Sequence, residues 1–265
     1  MDPMGRLITL AAAIAIGLAV TAWYYQPNRH VEAPPPAPET EDAWLTRLYS
    51  QNPKEAAEAA RRLEQLGAAA VPVIRDTLED ATADREHVKA AIKASGILGT
   101  EAAPVMPLVA ARLTEPDFTA EAAIALSFMG RGAFASLKDA LGDEDPAVRR
   151  ESLRSIGKLK ERAHLETRAV VPLLERRMDD SDGTVRAVAA TYLGIIHESP
   201  ATGVPVLITG LADPETDVRR ASATALASFG ADAQSAIPAL RKAAVDPDPD
   251  VAREAGVTLV KLQGK

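Results

Sequence analysis

Cysteine is absent from all 265 residues. That excludes disulfides, thiol nucleophiles, thiolate zinc sites and lipidation at cysteine, while leaving the redox compartment open. Aromatic residues are scarce at 4%, so a core has to be built from Ala, Leu, Val and Ile, side chains that suit closely packed helices. There is no excess of positive charge either: the formal net charge is −7. Residues 1–25 balance Asp2 against Arg6, residues 26–42 contribute −3, and the rest of the chain carries −4. A mildly acidic body argues against broad nucleic-acid binding, which needs a basic face, although it leaves room for a local basic patch. Catalytic signatures are missing too, with no phosphate-cradling glycine loop, no Gly-x-Ser-x-Gly and no His-Glu-x-x-His.

What the amino end does have is one long uncharged run. Leu7 to Tyr25 holds 19 residues without a charge, roughly 28 Å as a helix and close to the hydrocarbon thickness of a bilayer. Trp23, Tyr24 and Tyr25 close it, at the level where amphipathic rings favour the membrane interface. Residues 1–25 are expected to be a membrane anchor; the alternative is a signal peptide cleaved after Ala22. Residues 26–42 contain Pro27, Pro34, Pro35, Pro36 and Pro38 and no apolar pattern. Such a segment is an extended, fairly stiff spacer of up to roughly 50 Å, which favours the anchor because a stalk would connect it to a head. Arg6 lies before the run and Arg29 just after it, followed by acids. That weak bias orients the body outside the cytoplasm, in a periplasmic setting.

From residue 43 to 265 the chain repeats itself. Asp145-Pro146-Ala147-Val148-Arg149-Arg150 recurs around Val185-Arg186, Val218-Arg219 and Val251, at intervals of 37, 33 and 33 residues. Apolar residues follow each Val at offset 8 (Ile156, Leu193, Leu226, Leu259) and offset 11 (Leu159, Ile196, Phe229, Leu262), marking one face of a helix. A second helix is expected to begin at Pro107, Pro172, Pro205 and Pro238, and a lengthened turn over 160–167 accounts for the longer interval. Gly67, Gly99, Gly130 and Gly230 close first helices. Units therefore start near 55, 87, 118, 148, 185, 218 and 251, giving six helix pairs and a terminal single helix in an all-α solenoid. Charged Glu55, Glu58, Arg61, Arg62 and Glu64 suit a solvated capping face at one end.

These motifs resemble HEAT repeats, specifically the short bacterial kind similar to phycobilisome-lyase HEAT-like repeats. The resemblance covers about 55–262 and implies stacked antiparallel helix pairs with a scaffold or binding role.

Asp143, Asp180 and Asp213 each precede Arg149, Arg186 and Arg219 by six residues, and Asp246 stands at the same spacing before Ala252, beside Arg253. Repetition in every unit points to a structural Asp–Arg ladder along the turns rather than to acid–base catalysis. The four histidines are His30, His87, His164 and His197. A HEAT-like hydroxylase family uses paired His-Glu motifs, and His197-Glu198 is the one such pair here, with Glu166 near His164 in the long turn. Gly157 and Gly194 lie inside helices at matching places, where close packing explains them.

The expected function is a non-enzymatic, membrane-tethered scaffold that holds a protein partner, without nucleic acid, cofactor or metal. The alternative is an enzyme or accessory subunit of a phycobilin-lyase-like or metal-dependent kind using the 160–167 turn and His197. In this family the second helices usually form the concave side, which makes Arg176, Arg177, Thr209, Arg241 and Lys242 the expected partner surface.

Overall fold

Five of the seven first helices start where an acidic or amide side chain takes up free N–H groups of the first turn. Asp145 accepts the Ala147 N–H at 2.8 Å, with Pro146 in the first turn where its missing donor does no harm. Asp182 accepts from Thr184 and Val185, and Asp248 from Asp250 and Val251. Asn52 and Asp84 do the same for Lys54 and His87. In the computed structural model, which describes residues 43–264, the outcome is a stack of helices. The expected hydrophobic helix 7–25 and the linker 26–42 lie outside the described residues, as does His30.

A short helix α1 (Ala43–Arg47) leads into the array. The first helices are α2 (Pro53–Leu66), α4 (Arg85–Leu98), α6 (Thr119–Phe128), α8 (Pro146–Ala163), α10 (Gly183–Ile196), α12 (Thr216–Leu226) and α14 (Pro249–Leu262). The second helices are α3 (Val71–Glu79), α5 (Met106–Ala111), α7 (Ala133–Ala140), α9 (Thr167–Arg177), α11 (Pro200–Gly210) and α13 (Ile237–Ala243). That is six pairs and a single final helix, and no strand occurs among the described residues. Each first helix packs on the first helices before and after it, and on its own partner.

The core follows the repeat. Val148, Val185, Val218 and Val251 are buried, as are Leu159, Ile196, Phe229 and Leu262 at offset 11. Trp44, Leu45 and Leu48 of the leading segment are buried, and the Leu48 carbonyl accepts the Lys93 ammonium at 2.7 Å. This leading segment packs against α2 and α4, while Glu55, Glu58, Arg61, Arg62 and Glu64 are exposed.

Two second helices begin earlier than their prolines suggest. Pro107 and Pro238 do lie in the first turn, but α9 starts at Thr167 and α11 at Pro200, leaving Pro172 and Pro205 inside. The reason lies at the end of the preceding first helix. Gly67, Gly99 and Gly230 adopt positive φ with ψ near −125°, a conformation only glycine reaches readily, and the chain passes through a 3-10 turn before the second helix. After α8 and α10 the chain reverses at a histidine instead and re-enters helix within three residues.

Successive first helices approach closely. A Cβ on Gly194 would stand 2.6 Å from Ala225 Cα, and one on Gly157 would stand 2.1 Å from the Tyr192 ring. Between the second helices α11 and α13 lies a hollow of about 550 Å³.

Candidate functional site

The ladder is built from long side chains at the start of each first helix. Arg149 donates from Nε and Nη2 to both carboxylate oxygens of Asp180, at 2.9 and 2.7 Å. Its Nη1 donates back to the carbonyls of Asp143 and Glu144, both at 2.9 Å. Arg186 repeats the pattern on Asp213 and on the carbonyls of Asp180 and Ser181. Arg219 repeats it on Asp246 and on the carbonyls of Asp213 and Pro214. Each aspartate also accepts the N–H two residues on, at Asp145, Asp182, Glu215 and Asp248. The six-residue spacing thus marks a contact to the carbonyl of the turn before the helix, and the carboxylate partner comes from the next such turn, 27 or 31 residues ahead.

Burial favours protonation of Asp180 and Asp213, yet the hydrogen bonds from Arg149 and Arg186, the turn N–H groups and the nearby arginine charges outweigh it. Both carboxyls are held below the ordinary value. Asp246 is lowered chiefly by its hydrogen bond from Arg219. Arg149, Arg186 and Arg219 are raised, first of all by those same pairs.

The histidines do something else. His164 and His197 are the non-glycine residues with positive φ among those described, at 48° and 34°. They terminate α8 and α10 in the left-handed conformation, and their N–H groups close on the Lys160 and Leu193 carbonyls. His197 occupies offset 12, where glycine stands in other units. Its ring meets Phe229 edge-on at 6.3 Å, and Nδ1 lies 3.0 Å from the Ile195 carbonyl. The polar hollow at the long turn is lined by Lys160, Glu161, His164, Leu165, Glu166 and Glu198, and His197 is not part of its lining. Lys160 binds Glu198 directly. Among the described residues no group of three or more His, Asp or Glu could hold a metal. Arg131 instead clamps this turn, donating to the Ala163 and His164 carbonyls at 3.0 and 2.8 Å.

The second-helix residues expected to meet a partner divide. Arg176, Thr209, Arg241 and Lys242 are exposed. Arg177 is half-buried and turned toward Asp180, at 3.5 Å, so it supports the ladder instead. A groove lies on the opposite layer. A hollow of about 730 Å³ crosses α8, α10, α12 and α14, all of them first helices. This groove lies on the layer opposite Arg176, Thr209, Arg241 and Lys242.

Offsets 2, 6 and 10 from the unit start explain the groove. On α8 the lining residues are Arg150 and Arg154; on α10 they are Ala187, Thr191 and Ile195; on α12 they are Arg220 and Thr224, with Ser228 just past its end. Residues four apart share a helix face, so long basic side chains on α8 stand beside an uncharged trough on α10. The same face is apolar nearer the amino end, where Ile97, Ile124 and Phe128 line a smaller hollow with Tyr49. Ile124 and Phe128 are 46% and 44% exposed, unusual for large apolar side chains side by side. Arg162 lies over the Phe128 ring at 3.8 Å.

The profile for HEAT repeats matches residues 106–194 and 204–265. The chain belongs to the HEAT-repeat family. A solved structure of the Escherichia coli protein YibA is 15% identical, over 86% of this chain and 93% of that one, with a TM-score of 0.51. An engineered protein is 22% identical over 84% and 96% of the two chains, with a TM-score of 0.49. The complex of CpcE and CpcF of phycocyanin lyase from Nostoc sp. PCC7120 is 18% identical over 89% and 100%, with a TM-score of 0.40. At these identities the likeness concerns the fold alone. No curated protein matches the chain. HEAT repeats suggest a protein-interaction scaffold, and the first-helix groove is the feature of this HEAT array suited to that role.

Proposed function

We propose that this HEAT-repeat protein is a non-enzymatic scaffold that grips a partner protein in its first-helix groove. The observation that carries the reading is the groove itself, a hollow of about 730 Å³ spanning four consecutive units. Solenoids bind through long continuous surfaces, and an apolar patch at Ile124 and Phe128 extends the same face toward the amino end. Polar and apolar stretches on one continuous surface fit a protein chain better than a small metabolite.

The proposal includes a tether. Residues 7–25 act as a single membrane helix, residues 26–42 as the stalk, and the solenoid works outside the cytoplasm. The uncharged run and the proline-rich spacer support this reading. Cleavage after Ala22 would instead release the solenoid as a secreted protein.

The test is affinity purification of the full-length protein, tagged at the carboxyl end, from native membranes, with mass spectrometry of what comes with it. A specific co-purifying protein, depleted when the groove is altered, is the expected result. A partnerless protein, or one carrying metal or pigment, overturns the scaffold. The amino-terminal peptide of the purified chain distinguishes the anchor from the cleaved signal.

A further inference from the structure

Resting on the scaffold reading, we infer that the groove takes an extended acidic segment of the partner, lying along α10 between the basic row of α8 and Arg220. The argument starts from α10. Its only charged residue is Arg186, which is consumed by the ladder, so the floor of the groove offers Ala187, Thr191 and Ile195 and no counter-charge. On the α8 side, Arg150 and Arg154 share one carboxylate, Glu151, at 2.9 and 3.4 Å. One acid serving two guanidiniums leaves this wall positive although the protein as a whole is acidic. Across the floor, Arg220 binds Asp217 one turn earlier on its own helix, in a pair whose side chains are both exposed. Exposed pairs of that kind contribute little, so incoming carboxylates exchange with them easily.

Register supports an extended ligand. Arg150 and Arg154 are one four-residue step, about 6 Å, apart along α8. Alternate residues of an extended chain lie about 6.6 Å apart. A strand-like segment running along α10 therefore puts two alternate side chains opposite Arg150 and Arg154. Its other side chains point the opposite way, toward Arg220 and Thr224 of α12, while its backbone lies over the small floor residues Ala187 and Thr191. Arginine pairs bidentately with carboxylates, so the groove selects acids over amides of the same shape.

The test uses the full-length protein in detergent and fluorescence anisotropy with a labelled eight-residue peptide of alternating Glu and Ala. Its Gln–Ala counterpart and an eight-residue oligothymidylate serve as comparisons. The Glu–Ala peptide should bind at least tenfold tighter than the Gln–Ala peptide, and at least fivefold weaker in 300 mM than in 50 mM salt. The double variant Arg150→Glu/Arg154→Glu should lose at least tenfold, while Arg241→Glu/Lys242→Glu on α13 stays within twofold. Circular dichroism melting confirms that both variants fold. Equal binding of the Glu and Gln peptides overturns the inference, as does tighter binding of the oligothymidylate or full binding by the α8 variant. If the α8 variant still captures the native partner from membranes, the acidic-segment inference falls and the scaffold stands. If wild type captures no protein at all, the scaffold reading itself falls.

Discussion

Arg149 binds Asp180 through two parallel hydrogen bonds across 31 residues of sequence, in a pair whose side chains are 10% and 2% exposed. It is the most buried of the three rungs: the Arg186–Asp213 side chains are 12% and 12% exposed, and those of Arg219–Asp246 are 16% and 8%. Removing one partner of a buried pair strands the other charge and costs about 3–5 kcal/mol. Arg149→Ala should therefore lower unfolding stability by about 3 kcal/mol, more than Arg219→Ala does. Urea denaturation of the two variants measures the difference; melting unchanged from wild type would remove the ladder from the account of stability.

The same pairs set a pH dependence. Asp180, Asp213 and Asp246 have folded values below those of the unfolded chain, so the folded state binds fewer protons in the acid range. Their stabilisation is fully present above the unfolded value, about pH 4, and is lost as pH falls through the lowered folded values. Denaturation midpoints should be flat from pH 7 to 5 and drop between pH 4 and 2. Asp180→Asn should be less stable at pH 7 and show a shallower drop.

Replacing His197 or His164 by glycine should stabilise the fold. Both residues hold left-handed backbone at a helix end, which costs a side-chain-bearing residue about 1 kcal/mol relative to glycine. A rise in Tm of about 2–4 °C is expected for an array of this size. Loss of partner binding in His197→Gly, with melting raised, would assign the ring a contact beyond its capping position.

Gly194→Val should do the opposite. The added atoms would enter space held by the Ala225 backbone, 2.6 Å from the nearest Cβ position, and overpacking of this kind costs about 1–3 kcal/mol. Because α10 and α12 would be pushed apart, the groove should widen, and the partner's affinity should fall more than that of a distant variant with equal loss of stability.

The repeat was legible because burial repeats: offsets 0 and 11 point inward in each of the four clearest units, from Val148 to Leu262. The ladder residues were legible by type and spacing, but not the pairing. A spacing of six suggests an aspartate partner within the unit, whereas stacking brings each arginine to the acid 27 or 31 residues ahead. The capping acids Asp145, Asp182 and Asp248 went unread, although their place two residues after each ladder aspartate was visible. His197 looked chemical because its partner Glu198 follows it; alignment with Gly67, Gly99 and Gly230 at offset 12 was the signal for its true role. The groove on the first helices was not read from the sequence, and its signal was the small residues there, Gly194 against Ala225 and Ala187 and Thr191 on the floor.

Each rung of the ladder has a direction, with the guanidinium at the start of a unit reaching forward to the carboxylate in the turn that leads into the next. The units that start at 148, 185 and 218 thus each carry an arginine at one end and its aspartate at the other. Excising residues 185–217, a stretch of 33, would remove Arg186 and Asp213 together and leave the Arg149–Asp180 and Arg219–Asp246 rungs intact. Genes for such an array can lengthen or shorten by whole units without orphaning a charge. The same polarity forbids a unit from being inserted backwards.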